Sequence, residues 1–153
     1  PHLQRVRFHT RLPVVIPQRI TDELIEALTS TRLKPVVVLH SNHPNEIDAT
    51  LGEALIPMQQ ARIPVLNQAV LLKGVNDEVA VLKQLNERLF DVGVLPYYLF
   101  VLDPVAGSAH FDISDQQAQA LMRDLQTQLP GYLLPKLARE VPGKPSKTLL
   151  SLD

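Results

Sequence analysis

Three apolar runs rich in β-branched and aromatic residues, KPVVVLH, IPVLNQAVLL and VLPYYLFVLD, recur at a pitch of about 30 residues, and this spacing narrows the fold more than any other feature. Each run has strand length and is followed by an amphipathic stretch, which is the rhythm of βα units. RVRFH (Arg5 to His9) supplies an earlier strand and YLLPKLAREV a later one. TDELIEALTS reads as the first helix. Thr21 caps it, Asp22 and Glu23 occupy its first turn, and Leu24, Ile25 and Leu28 share a face. A second helix spans about Ile47 to Arg62, with Leu51, Leu55 and Met58 at helical spacing and Pro57 expected to kink it. NDEVAVLKQLNERLF is the third. SDQQAQALMRDLQTQL is the fourth, opened by a capping box from Ser114 to Gln117 and stopped at Pro130-Gly131. The β-branched run ending at His40 has the pattern of a strand covered on both faces. The expectation is an α/β domain over residues 1–153, a parallel sheet with right-handed crossovers and too few strands to close a barrel of eight.

With 153 residues and 45% apolar content the chain is long enough for one domain with a real core. A net charge of −1 and 5% aromatic residues leave no electrostatic footprint for nucleic acid. No apolar run reaches the ~20 residues of a membrane span, and no signal-peptide pattern opens the chain. A cytoplasmic location is therefore the default expectation. The absence of cysteine excludes disulfides, thiolate zinc sites and an iron–sulfur cluster ligated within these residues. Opening on Pro1 rather than methionine suggests that residues precede it.

In parallel α/β folds the chemistry gathers at the carboxyl ends of the strands, and here those ends are polar. The first ends in His9, Thr10 and Arg11; the second in the stretch from His40 to Glu46; the third in Asn67 and Gln68; the fourth in Asp103; the last in Arg139 and Glu140, followed by PGKPSK. Bland readings exist for each. Asn45 and Glu46 read equally well as the start of a helix, and Asp103 before Pro104 as a turn residue. His40 and His43 lack the supporting spacing of a metal site. It is the convergence of five ends that points to a site. Neither a nucleophile elbow nor a phosphate-binding glycine loop is present. What remains is lysine, which forms an imine with a carbonyl compound when its amine is neutral. Lys144 and Lys147 are both candidates, and their mutual repulsion would favour the neutral form of one.

The runs RVRFHTRLPVVIPQRIT, HSNHPNEID, LNQAVLLKGVND, PYYLFVLDPVAGSAHF and PGKPSKT, in this order over essentially the whole chain, closely resemble lysine 2,3-aminomutases. They fit best the branch that makes β-lysine for modifying elongation factor P. The resemblance implies a radical S-adenosylmethionine enzyme on a partial (β/α)6 barrel, of which this chain matches the carboxyl-terminal half. The family's Cys-x-x-x-Cys-x-x-Cys loop and GGDP-type turn have no counterpart here, so the [4Fe–4S] cluster is expected on residues outside this chain, and the segment is expected to be inactive alone. The implied reaction takes a hydrogen from the β-carbon of L-lysine and moves the α-nitrogen, held as an imine on pyridoxal phosphate, to that carbon. Lys147 matches the lysine that holds pyridoxal phosphate, although PGKPSK departs from the family's glycine-rich run and keeps Lys144 in play. Asp103 matches a carboxylate for the substrate's ε-ammonium; Glu140 stands where better-known members carry a second aspartate. His40 and Gln68 match contacts to S-adenosylmethionine, with Asn67 and Arg11 as adjoining candidates. No metal ligand is expected in this chain. L-lysine is the implied substrate, with no nucleic-acid or membrane partner, and the oligomeric state stays open. A Schiff-base aldolase on an α/β barrel and a non-catalytic binding module are the alternatives. The first would need no iron, and the second would form no pyridoxal adduct.

Overall fold

The computed structural model describes residues 2–103 and 106–152. Its elements run β1 (Arg5–Thr10), α1 (Leu12–Val15), α2 (Asp22–Thr29), β2 (Lys34–His40), α3 (Ala49–Gln60), β3 (Val65–Leu71), α4 (Val79–Asp91), β4 (Leu95–Val101), α5 (Asp115–Gln126), β5 (Lys136–Arg139) and β6 (Thr148–Leu149). The strands lie in sequence order in one sheet, curled as a half-barrel. β1 to β5 are parallel, as the pitch of the sequence predicts. β6 corrects the expectation of an all-parallel sheet, because it pairs antiparallel to β5 through Ala138–Leu149 and Arg139–Thr148. The reversal starts in a Pro-Gly turn. Lys144 N donates to Val141 O at 3.1 Å and Gly143 sits at φ 81°, where a side chain would be strained. A two-residue strand is too short to carry a periodic signal.

The caps expected from the sequence form. Thr21 accepts from Leu24 N, and Ser114 and Gln117 close their box at the start of α5. α3 begins at Ala49 rather than Ile47, because Asp48 accepts from Leu51 N and is the true cap. It runs through Pro57 to Gln60.

Alternation along the strands sorts the two faces of the sheet. Val37 and Leu39, Val65, Ala69 and Leu71, Leu99 and Val101, and Leu137 join one core with Leu51, Leu55 and Met58 of α3 and Leu82, Leu85 and Leu89 of α4. Each fully buried leucine there contributes about 2 kcal/mol by leaving water. The intervening positions, among them Val38, His40, Gln68, Phe100 and Ala138, occupy the opposite, concave face.

The carboxyl ends of β2 and β3 are held by side chains that substitute for missing strand partners. Buried Asn67 makes a reciprocal pair with Ser41, Oδ1 accepting from its N at 2.9 Å and Nδ2 donating to its O at 3.0 Å. Asn76, fully buried, accepts from Leu72 N at 2.7 Å and donates to Asn42 O and Val70 O at 2.8 and 2.9 Å. Asn42 Oδ1 accepts from Val70 N at 2.8 Å. Backbone groups here would otherwise be buried without partners, a cost of about 1–3 kcal/mol each. Asn76→Ala in the intact protein is therefore expected to lose about 3 kcal/mol or more of stability. A lower urea midpoint at unchanged slope checks this; a midpoint within error of wild type would contradict it.

Candidate functional site

Side chains from β1, β2, β3, β4 and the loop after β5 meet on the concave face near the carboxyl ends of the strands. Lys147 anchors the group. Its ammonium pairs with Glu140 and lies 4.5 Å from the ring centroid of Phe100 and 5.7 Å from that of Tyr98. Both are cation–π distances, worth about 0.5–1 kcal/mol each at partly exposed sites. The reason is local. Glu140 follows β5 directly, and the Pro142-Gly143 turn with the return into β6 carries Lys147 back beside it. The Lys147 side chain is 27% exposed, whereas Lys144 lies in the exposed part of the same loop. The two lysines, equal by residue type, thus differ in their surroundings.

His9 and His40 face each other from adjacent strand ends, His40 Nε2 3.4 Å from His9 Nδ1, with rings edge to face at 76°. Partial burial is the main cause that lowers both imidazoles below the ordinary histidine value. On His9 the cations Arg7, His40 and Lys147 add to it, and the Gln68 amide pulls weakly the other way. On His40 the second cause is Arg11. Gln68 lies beside His40 in the register of β2 and β3. Among the described residues its Oε1 is buried and meets no donor within hydrogen-bond geometry.

At the rim, Arg11 Nη2 donates to Glu46 Oε2 at 2.5 Å, while Glu46 Oε1 accepts from the backbone N–H groups of Asn42 and His43 at 2.7 and 2.9 Å. Glu46 thereby ties the loop after β2 to the end of β1. His43 Nδ1 accepts from Asn45 N. No group of three or more His, Asp or Glu side chains suited to a metal ion occurs among the described residues.

Of the residues singled out in the sequence, Lys147, Glu140, His40 and Gln68 lie on the concave face. Asn67 lies in the interior with its amide committed to Ser41, and Arg11 at the rim with Glu46. Asp103 is exposed and lines a separate cleft of about 300 Å³ with Leu102, Asp112 and Arg139. Arg139 itself is paired with Asp115 of α5 at 2.6 Å. The reading by type and position passed over Tyr98 and Phe100, which look like ordinary strand aromatics. Their alternation with buried Leu99 and Val101 is the signal that turns them toward Lys147.

Comparison with known proteins follows the same outline. No family model matches the chain. It is 56% identical over 149 residues to an L-lysine 2,3-aminomutase of Haemophilus influenzae, covering 97% of this chain and 44% of that protein. It is 51% identical over 153 residues to the L-lysine 2,3-aminomutase of Escherichia coli strain K12, covering 100% and 45%, and 39% identical over 149 residues to that of Clostridium subterminale, covering 97% and 35%. The chain thus spans from about a third to just under half the length of these curated relatives. In fold it is similar to a radical SAM methyltransferase from Sphaerobacter thermophilus, with a TM-score of 0.59 at 19% identity over 87% of this chain and 40% of the other. It is also similar to a domain of pyruvate-formate lyase-activating enzyme from Bacteroides vulgatus, with a TM-score of 0.51 at 13% identity over 90% and 99%.

Because both imidazoles are held below the usual value of about 6.5, the unfolded chain takes up protons there before the folded one does. Their contribution to stability is complete above about pH 6.5 and is lost as pH falls through the folded-state values. Unfolding of the intact protein between about pH 7.5 and 5.5 should show this decline, and the double variant His9→Gln, His40→Gln should flatten it. An identical slope in the variant would contradict the assignment.

Proposed function

As the chain is homologous to the L-lysine 2,3-aminomutase family along practically its whole length, we propose that it forms the part of such an isomerase that carries the lysine for pyridoxal phosphate and half of the substrate pocket. The complete protein then converts L-lysine to β-lysine, and the product serves the modification of elongation factor P. The observation that carries this reading is Lys147 on the concave face, held by Glu140 and lying over Phe100. Around this one amine the site sets a carboxylate, an aromatic wall and partial shelter from water.

When bound, pyridoxal phosphate would supply carbonyl chemistry at Lys147, and S-adenosylmethionine with a [4Fe–4S] cluster would supply radical chemistry. The chain's own residues do the rest. Lys147 is the amine that holds the carbonyl cofactor. Glu140 holds the Lys147 ammonium in the free site, and with Asp103 it would supply the carboxylates for the substrate's ε-ammonium. His40 would contact S-adenosylmethionine from the end of β2 and Gln68 from the middle of β3, which runs on to Leu71 rather than ending at Gln68 as its sequence suggests. Arg11 through Glu46 and Asn67 through Ser41 fix the loop that follows β2. The chain has no cysteine, so the cluster's thiolates must come from residues outside it, and this segment alone is inactive.

Borohydride reduction of the full-length protein with pyridoxal phosphate, followed by peptide mapping, tests the assignment. Lys147→Ala is expected to abolish the reduced adduct and Lys144→Ala to retain it. An adduct that survives Lys147→Ala and disappears with Lys144→Ala would overturn it. Glu140→Ala should leave trapping intact while raising the KM for lysine several-fold, the loss of one charge partner.

A further inference from the structure

Lys147 takes its place beside Glu140 from the register of β6. That strand pairs antiparallel with β5 through Ala138–Leu149 and Arg139–Thr148, and Leu150 N donates to Leu137 O at 3.1 Å in the same register. One step further along the ladder, Glu140 stands opposite Lys147, and these are the two side chains that pair on the concave face. A slip of one residue in such a ladder turns every side chain to the other face. It would set Ser146 or Thr148 opposite Glu140 and take Lys147 away from Phe100. A strand of two residues fixes its register only weakly by its own hydrogen bonds, and the loop before it, residues 141–146, is largely exposed. The register is held from the other side of β6. Leu150 and Leu152 pack against the core. From α5, Gln119 Nε2 donates to Ser151 O at 2.6 Å and Arg123 Nη1 donates to Leu152 O at 3.1 Å. The two side chains are one helical turn apart, on a helix that buries Ala118, Met122 and Leu125 in the core.

We infer that Gln119 and Arg123 are positioning residues for Lys147: by holding the carbonyls of Ser151 and Leu152 they fix the register of β6, and with it the lysine amine against Glu140 and Phe100. The inference rests on Lys147 as the lysine for pyridoxal phosphate. Both side chains act on backbone oxygens, so what they read is the position of the chain and not its side chains. A slip of one residue moves a carbonyl about 3.3 Å along an extended segment, which breaks both hydrogen bonds. Lys144 lies outside the ladder, in the exposed loop. The hold from α5 therefore selects which of the two lysines meets a carbonyl compound in the concave site.

Two measurements on the full-length protein test this, using the double variant Gln119→Met, Arg123→Met, which keeps the side-chain length and removes the donors. Hydrogen exchange reads the ladder with no cofactor bound. The Leu150 amide should exchange about tenfold faster in the variant, relative to the amides of β3, for two hydrogen bonds lost. An unchanged ratio would overturn the inference, whether exchange stays slow everywhere or rises everywhere with general destabilisation. Borohydride trapping with pyridoxal phosphate and peptide mapping reads the site. The adduct should map to Lys147 in the wild-type protein, and the ratio of Lys147 to Lys144 adduct should fall about tenfold in the double variant. Arg123→Lys, which keeps a donor for the Leu152 carbonyl, should stay near the wild-type ratio. A wild-type adduct at Lys147 that the double variant leaves undiminished overturns the inference and leaves the lysine assignment standing. No adduct at Lys147 in the wild-type protein overturns the assignment and the inference with it.

Discussion

The concave site depends on how the carboxyl ends of β2 and β3 are closed. A parallel strand that ends at a functional mouth leaves backbone donors and acceptors with no ladder partner, and burying them unmet would cost more than a small domain can spare. Here asparagine side chains complete the ladder. Asn67 copies a strand partner for Ser41, Asn76 bridges Leu72, Val70 and Asn42, and Asn42 returns to Val70. Glu46 gathers the loop after β2 and ties it to Arg11, just past the end of β1. His40 and Gln68 stand one residue from these closures. Their positions are set by backbone that is hydrogen-bonded on both sides, which is what a site needs to hold a ligand in one geometry.

This double use of polar residues explains what was legible in the sequence. The βα pitch, the caps at Thr21 and Ser114 and the buried faces of α3 and α4 are local patterns, and they appear where the residues place them. β6 was not legible, because two residues carry no period and its pairing depends on a turn that brings distant chain together. The four-residue helix α1 was missed for the same reason. At the site, the polarity of SNHPNE and LNQ draws attention to the ends of β2 and β3, although LNQ lies in the middle of β3, and it does not distinguish a side chain on the concave face from one that completes the backbone. Asn67 and Gln68 are neighbours of similar chemistry, and strand alternation sends one into the interior and the other to the concave face. Lys144 and Lys147 are likewise equal in type, and only the fold of the loop sets one beside Glu140 and Phe100.

Charge placement follows the same economy. Lys147 lies in a site whose other basic groups, His9 and His40, are disposed to stay neutral, so Glu140 faces one strong cation rather than several. Asp103 lines a separate cleft with Asp112 and Arg139, whose guanidinium is paired with Asp115.

The most direct measurement is turnover by the full-length protein. It would be incubated anaerobically with L-lysine, S-adenosylmethionine, pyridoxal phosphate, iron, sulfide and a strong reductant, and the amino acids separated and identified. β-Lysine formed only when S-adenosylmethionine and iron are both supplied is the expected result. No β-lysine, together with lysine-dependent carbon–carbon cleavage that proceeds in air without iron, would contradict the radical assignment and leave Lys147 as the imine lysine of an aldolase.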